Sequence, residues 1–175
     1  MDNRSDQQTR SAGVVRGAVG SIILFVIAFA LGGIVKGMAE TVPVVIPAIF
    51  LEVIIGAAAS IPLGFDPISG AVIATLGNLV PAPLLIAGFD WIVNKWAWLR
   101  NKLGRAEKIS EKYGKYGVWI LAPLAPFIGV YGGIAVGVGL RFRPLLIMMS
   151  LSIGVFAAAF LTTFGGEGIR ALFMS

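Results

Sequence analysis

Two carboxylates lie within or beside apolar segments, where a charge is costly. Glu52 lies inside the apolar run Ile49–Ile55, and Asp66 directly precedes Pro67. A carboxylate in such surroundings is stable only when it is protonated, paired or hydrated. Glu52 and Asp66 are therefore candidates to bind a coupling proton or cation. The plain alternatives are a hydrogen-bonded structural Glu52 and an Asp66 that caps the next helix.

Four other polar residues could contact a ligand. Arg141 and Arg143 form a pair suited to bidentate contacts with a phosphate headgroup, although anchoring by the positive-inside bias is the better explanation of the pair taken alone. Tyr131 precedes Gly132 and Gly133 and could border a surface of close approach, or simply pack. Asn78 could bind a ligand or satisfy backbone exposed near a proline kink.

Catalysis and cofactor binding have little support in this chain. It contains no His and no Cys, which removes thiol nucleophiles and the usual zinc and haem ligands. Neither a Gly-x-Ser-x-Gly elbow nor a phosphate-binding loop occurs in the sequence. We expect no enzyme activity, no cofactor and no metal site.

The composition indicates that hydrocarbon surrounds most of the chain. Of its 175 residues, 57% are hydrophobic and only 13% are charged, and the mean hydropathy is +0.89. Soluble domains average about 25% charged residues. The sequence therefore predicts a polar tail over residues 1–13, expected to be disordered, and a single membrane domain over 14–175.

The apolar segments differ in how they are interrupted. Residues 17–35 form an unbroken run long enough to span a bilayer. Residues 42–64 are broken by prolines, by Glu52 and by small residues, which favours a re-entrant helical hairpin with Asp66 near its tip. Residues 69–90 predict a spanning helix kinked near Pro81 and Pro83.

The second half repeats this order. Residues 117–140 are broken by Pro123 and Pro126 and then become glycine-rich, and a clean apolar run follows to about residue 163. The small or helix-breaking residues expected to shape the two hairpins are Pro62, Gly64, Pro81, Pro83, Pro123, Pro126, Gly129 and Gly133. We interpret residues 40–91 and 115–168 as two inverted repeat units, a design in which binding sites form between broken helices.

Between these units lies a basic segment. Seven of the 14 Lys and Arg residues fall between Lys95 and Lys115, with apolar residues spaced three, four or seven apart. This predicts an amphipathic interfacial helix over 92–114, with the 92–115 segment cytoplasmic. Nucleic-acid binding is not expected, because no groove-reading or base-stacking motif accompanies the charge. Five full spans remain a rival arrangement.

Several segments resemble a known family. Ile61–Gly64, Leu76–Pro83, Lys115–Gly117, Pro123–Pro126 and Gly129–Gly133 are similar to the small multidrug export protein family, itself distantly similar to DedA/SNARE-associated (VTT) membrane proteins. The resemblance covers roughly residues 46–165 and implies re-entrant hairpins and transport of a lipid or small molecule. The Glu-x-Arg-Gly usual in that family is absent, since Val53 and Ile54 follow Glu52.

These observations predict an all-α integral membrane protein with spanning helices, two inverted re-entrant hairpins and an interfacial amphipathic helix. We expect a transporter or lipid translocase in a prokaryotic plasma membrane, with proton or cation coupling at a site between the hairpins. Membrane lipid, including anionic headgroups, and a second copy in a homodimer are the expected partners. The alternative is a structural or partner-binding membrane protein without transport.

Overall fold

The computed structural model describes residues 3–95 and 114–174, and these residues are helical apart from short connections. The helices are α1 (Asn3–Val35), α2 (Met38–Phe50), α3 (Val53–Ser60), α4 (Pro67–Leu79), α5 (Ala82–Lys95), a 3₁₀ helix (Gly114–Ile120), α6 (Leu121–Gly139) and α7 (Pro144–Met174). Most of the predicted interfacial helix, residues 96–113, lies outside the described residues.

Four helical stretches are long and apolar enough to cross a membrane. They are Ser11–Val35, Pro67–Phe89, Gly117–Gly139 and Pro144–Gly166. The prediction of an all-α chain with such helices is confirmed. The prediction that residues 1–13 are disordered is wrong from Asn3 onward, because α1 begins there. This segment contains good helix formers such as Arg4, Gln7 and Gln8, and it has no Pro.

The predicted kink near the proline pair is present between α4 and α5. The helix stops at Leu79, and Pro81 has no N–H to continue the hydrogen-bond ladder. Pro83 lies against Gly17 and Gly20 of α1, where only glycine leaves room for this approach. The kink therefore also positions α5 on α1.

The chain reverses direction between α2 and α3. Leu51 N–H and Glu52 N–H both donate to Pro47 O, which closes α2, and α3 begins at Val53. Gly56 of α3 lies so close to α2 that a Cβ atom there would be 2.6 Å from the Ala48 Cβ. Residues 48 and 56 can approach this closely only if the chain turns back between them. We call Leu51–Glu52 the first reversal.

A second reversal lies inside α6. The Ser150 hydroxyl donates to Val118 O, and Gly154 lies against Ala122, so this part of the chain runs parallel to α7. After Gly129, the contacts of Gly133 with Leu151 and of Gly137 with Ile147 run antiparallel to α7. Gly129 supplies the turn, with φ 69° and ψ 170°. We call Ile128–Gly129 the second reversal.

Each reversal creates a pair of antiparallel helices: α2 with α3, and the first half of α6 with its second half. These two pairs open toward opposite ends of the molecule. Ile61, after α3, contacts Gly166 near one end of α7, whereas Gly137 contacts Ile147 near the other. Those two points on α7 are about 29 Å apart at the helical rise per residue. The first and second reversals lie between them.

Equivalent contacts recur at a constant separation of 77 residues. The Gly77–Val45 contact corresponds to Gly154–Ala122, and Gly70–Ser60 corresponds to Gly137–Ile147. The turn that follows α3 and the turn that follows α6 correspond at the same separation. Gly64 and Arg141 both have positive φ, and Pro67 and Pro144 both begin the long helix that follows.

Close packing of α7 on α6 at Gly154 predicts a steric effect. A Cβ atom at Gly154 would collide with the backbone of Ala122, whereas a Cβ atom at Gly165 meets nothing within 4 Å. We expect Gly154→Ala to destabilise the fold by about 1–3 kcal/mol. Gly165→Ala, on the same helix, should be neutral or stabilising by up to about 1 kcal/mol.

Thermal unfolding of both purified variants in detergent would check this prediction. Equal melting temperatures for Gly154→Ala and Gly165→Ala would contradict the packing of α7 on α6.

Candidate functional site

The site forms where α2 ends, at Phe50. Pro47 O accepts both N–H groups that follow the helix, so the carbonyls of Ala48 and Ile49 lack their usual helical partners. At hydrocarbon depth, water cannot satisfy such carbonyls, and each unpaired group costs several kcal/mol. Donors from elsewhere in the fold must supply these hydrogen bonds.

Asn78 supplies the first donor. It is fully buried on α4, and its Nδ2 donates to Ala48 O at 2.7 Å. The adjacent Gly77 allows α4 to approach Val45 and Ala48 closely enough for this bond. The Asn78 Oδ1 atom is buried and has no hydrogen-bond partner among the described residues.

Tyr131 supplies the second donor. Its hydroxyl donates to Ile49 O, 82 residues away in the sequence. Tyr131 lies two positions after Gly129, so this hydrogen bond joins the second reversal to the end of α2. The pair α2–α3 and the pair formed by the two halves of α6 are thus connected by a hydrogen bond as well as by packing.

Glu52 lies at the contact between the two reversals. It is half-buried and lies at the N-terminus of α3, directly before Val53. A Cβ atom at Gly129 would lie 3.0 Å from Glu52 Oε2. A residue with a side chain at position 129 would therefore crowd the carboxylate, and glycine also permits the positive φ. Glu52, Asn78, Tyr131 and Gly129 converge on one site.

Metal-binding side chains do not cluster around Glu52 in the described part of the chain. Within residues 3–95 and 114–174, no group of three or more His, Cys, Asp or Glu side chains could hold a metal ion. Glu52 is the one carboxylate among the described side chains at the reversals. Its neighbouring carbonyls at Ala48 and Ile49 already accept hydrogen bonds from Asn78 and Tyr131.

Asp66 lies away from the first reversal, in the turn between α3 and α4. The first reversal is at Leu51–Glu52, and Asp66 is the exposed N-cap of α4. Its Oδ1 accepts hydrogen bonds from Ile68 N at 3.1 Å and Ser69 N at 3.0 Å, and Oδ2 accepts from the Ser69 hydroxyl. The Ser69 hydroxyl and backbone N–H groups lower the pKa of the Asp66 carboxyl below its usual range.

Arg141 and Arg143 also lie away from the reversals. Both are exposed in the turn between α6 and α7. The ten helical residues from Val130 to Gly139 place this turn about 15 Å from Gly129. The structure therefore does not bring the arginine pair to Glu52.

The remaining predicted residues shape the connections. Pro62 and Gly64 lie in the turn between α3 and α4, Pro123 is exposed early in α6, and Pro126 precedes the second reversal. Gly133 makes room for Leu151. Sequence reasoning did not identify Ala48, Ile49 and Gly154 as site or packing residues. The 77-residue spacing of small and proline residues was a signal that could have pointed to Gly154.

The contact between Tyr131 and Ile49 predicts a modest stability effect. Tyr131→Phe keeps the ring but leaves Ile49 O without its donor, so we expect a loss of about 0.5–1.5 kcal/mol. Ser152→Ala is a matched control, because the Ser152 hydroxyl bonds only Met148 O one turn earlier on its own helix. Denaturant titration in mixed micelles would measure both. Equal losses of stability in Tyr131→Phe and Ser152→Ala would contradict a stabilising hydrogen bond from Tyr131 to Ile49 O.

The N-cap at Asp66 predicts a pH dependence. Because the folded pKa is lowered, the stability that Asp66 contributes is present above its unfolded pKa, about 3.9. It is lost as the pH falls through the folded pKa. Asp66→Asn retains an N-cap at every pH. Melting temperatures of the two proteins should therefore diverge below about pH 4, with the wild type losing more. Parallel curves would contradict this account of the cap.

Comparison with known proteins gives one family. The family model described as "Putative small multi-drug export protein" matches residues 52–161, which include Glu52, Asn78, Gly129 and Tyr131. Searches of curated proteins and of solved structures gave no significant match. The similarity to DedA/SNARE-associated proteins stays a prediction. The family description names an export protein and not an enzyme class. The matched region covers well over half of the chain, which therefore belongs to the small multi-drug export protein family.

Proposed function

We propose that this chain is a membrane transporter or lipid translocase whose site lies between two re-entrant hairpins, α2–α3 and the two halves of α6. The observation that carries the proposal is the meeting of the two reversals at Glu52 and Gly129. Broken helices that meet at mid-depth are typical of secondary transporters. The family description, which names export, agrees with it.

The hairpins enter the bilayer from opposite sides in this proposal. Its support is the set of contacts repeated at 77 residues, with each hairpin followed by a long helix that begins at Pro67 or Pro144. Two such inverted units, near residues 40–91 and 115–168, let one unit open while the other closes. The 92–115 segment then lies in the cytoplasm of a prokaryotic cell.

Glu52 is the coupling residue in this proposal. Its carboxylate is half-buried at the contact of the hairpins, beside Gly129. Taking up a proton or cation would reduce the cost of holding this group at hydrocarbon depth. Asp66 and the arginine pair, at the membrane surfaces, are left with roles in capping and headgroup contact.

The alternative is a membrane protein without transport that assembles through its small-residue faces. Gly56, Gly133 and Gly137 would form those faces, but each contacts its own chain. A homodimer would therefore need another surface. The meeting of the two reversals at Glu52 and Gly129 favours the transport function.

Labelling from each side of the membrane tests the topology, since the chain has no native Cys. We would introduce single cysteines as Met38→Cys, Asn101→Cys, Arg143→Cys and Ser175→Cys. Re-entrant hairpins place positions 101 and 143 on one side and 38 and 175 on the other. If 117–139 crosses the bilayer as one helix, 143 moves to the side opposite 101 and 175 joins 101. That result would overturn the proposal.

Infrared difference spectra test the coupling role of Glu52. Lowering the pH should produce carbonyl-stretch bands of protonated carboxylic acids in wild-type protein, and Glu52→Gln should remove the component that belongs to Glu52. Glu40→Gln, which alters a carboxylate beside Gly37 at the start of α2, is the control and should keep it. A spectrum unchanged by Glu52→Gln would contradict proton uptake at Glu52, and a shift of the carboxylate band on adding sodium would identify a cation instead.

A further inference from the structure

At the reversals, hydrogen-bond donors are already bonded to backbone carbonyls, whereas some acceptors remain that a ligand could bond. The Tyr131 hydroxyl donates to Ile49 O, and the Asn78 amide donates to Ala48 O. The Glu52 carboxylate is half-buried, and Asn78 Oδ1 is buried without a partner among the described residues. A ligand that completes this site must therefore supply positive charge or hydrogen-bond donors.

Three cationic side chains, those of Lys36, Arg141 and Arg143, lie elsewhere. Lys36 Nζ lies beside Gly64, which is separated from Glu52 by the length of α3. Arg141 and Arg143 lie in the turn after α6. An anionic ligand at the reversals would meet the Glu52 carboxylate without a compensating charge from any of these three residues.

Exposed aromatic side chains lie close in sequence to each of the two reversals. Phe50, two positions before Glu52, is 72% exposed, and Phe127, two positions before Gly129, is 85% exposed. Tyr131 is 39% exposed. Aromatic faces attract organic cations, most strongly where water is excluded. At mid-depth these side chains face hydrocarbon, so a ligand reaches them from within the bilayer.

From this combination we propose that the site binds an amphipathic organic cation that enters sideways from the bilayer. The cationic centre pairs with Glu52, and the apolar body packs against Phe50, Phe127 and Tyr131. This inference rests on the proposed function, because it names the substrate class of the same site. It concerns the charge of the ligand and its route of entry. The topology of the hairpins is tested separately by the cysteine labelling.

Two probes of the same shape and opposite charge test the inference. Tetraphenylphosphonium is a lipophilic cation, and tetraphenylborate is its anionic counterpart. Equilibrium binding of each would be measured on the full-length chain in lipid nanodiscs, with empty nanodiscs of the same lipid as background. We expect saturable binding of tetraphenylphosphonium above that background and none of tetraphenylborate.

Two variants and one control assign the binding to the site. Glu52→Gln should weaken tetraphenylphosphonium binding by at least about tenfold, because the paired charge is lost. Phe127→Leu, at an exposed position that should not affect folding, should weaken it about two- to thirtyfold. Glu40→Gln should bind like the wild type. Melting temperatures would establish that each variant is folded.

Three results would overturn the inference: tetraphenylborate binding as tightly as the cation, cation binding unaffected by both Glu52→Gln and Phe127→Leu, or no saturable binding of either probe. If the cysteine labelling still places positions 101 and 143 on the same side, any of these results removes the cationic substrate alone. The proposed transport function then stands with a different ligand.

Discussion

The structure depends on satisfying the backbone carbonyls that lose their helical partners where α2 ends. A helix that stops at hydrocarbon depth loses several hydrogen bonds, and lipid cannot replace them. Here Asn78 of α4 and Tyr131 of α6 donate to Ala48 O and Ile49 O. These two contacts connect the first reversal to both halves of the chain. They explain why elements so far apart in sequence must meet at this point, and why Glu52 has Gly129 beside it.

Packing brings these elements close enough for the contacts to form. Gly56 allows α3 to lie on α2, Gly77 allows α4 to approach α2, and Gly154 brings α7 against the first half of α6. With little hydrophobic driving force between helices in lipid, small residues at such contacts provide the van der Waals packing that holds a membrane fold together. The recurrence of the contacts after 77 residues gives both halves the same internal arrangement in opposite directions.

The sequence predicted the helical class, the break at Pro81 and the special position of Glu52, because each of these follows from local chemistry. Proline has no backbone N–H to donate, and a carboxylate in an apolar run is stable only when it is protonated, paired or hydrated. The position of the first reversal was not predictable in the same way. Pro62, Gly64 and Asp66 look like a hairpin tip, but α2 ends earlier, at Phe50, and Asp66 caps α4. The Tyr131–Ile49 contact joins residues 82 positions apart, and no local pattern encodes such a pairing. Arg141 and Arg143 suggested a ligand site by residue type alone, and their helix places them far from Glu52.

Residues 117–139 turn back at Gly129 to meet Glu52, and a distance between two positions of this segment would measure the turn. Spin labels at Trp119→Cys and Val136→Cys, both outward-facing positions, would be measured by pulsed electron paramagnetic resonance in nanodiscs. A straight helix would separate the two backbone positions by about 26 Å. The reversal predicts a clearly shorter distance, since Val118 and Gly137 contact the same part of α7. A distribution centred near the straight-helix value would contradict the reversal and, with it, the site at Glu52.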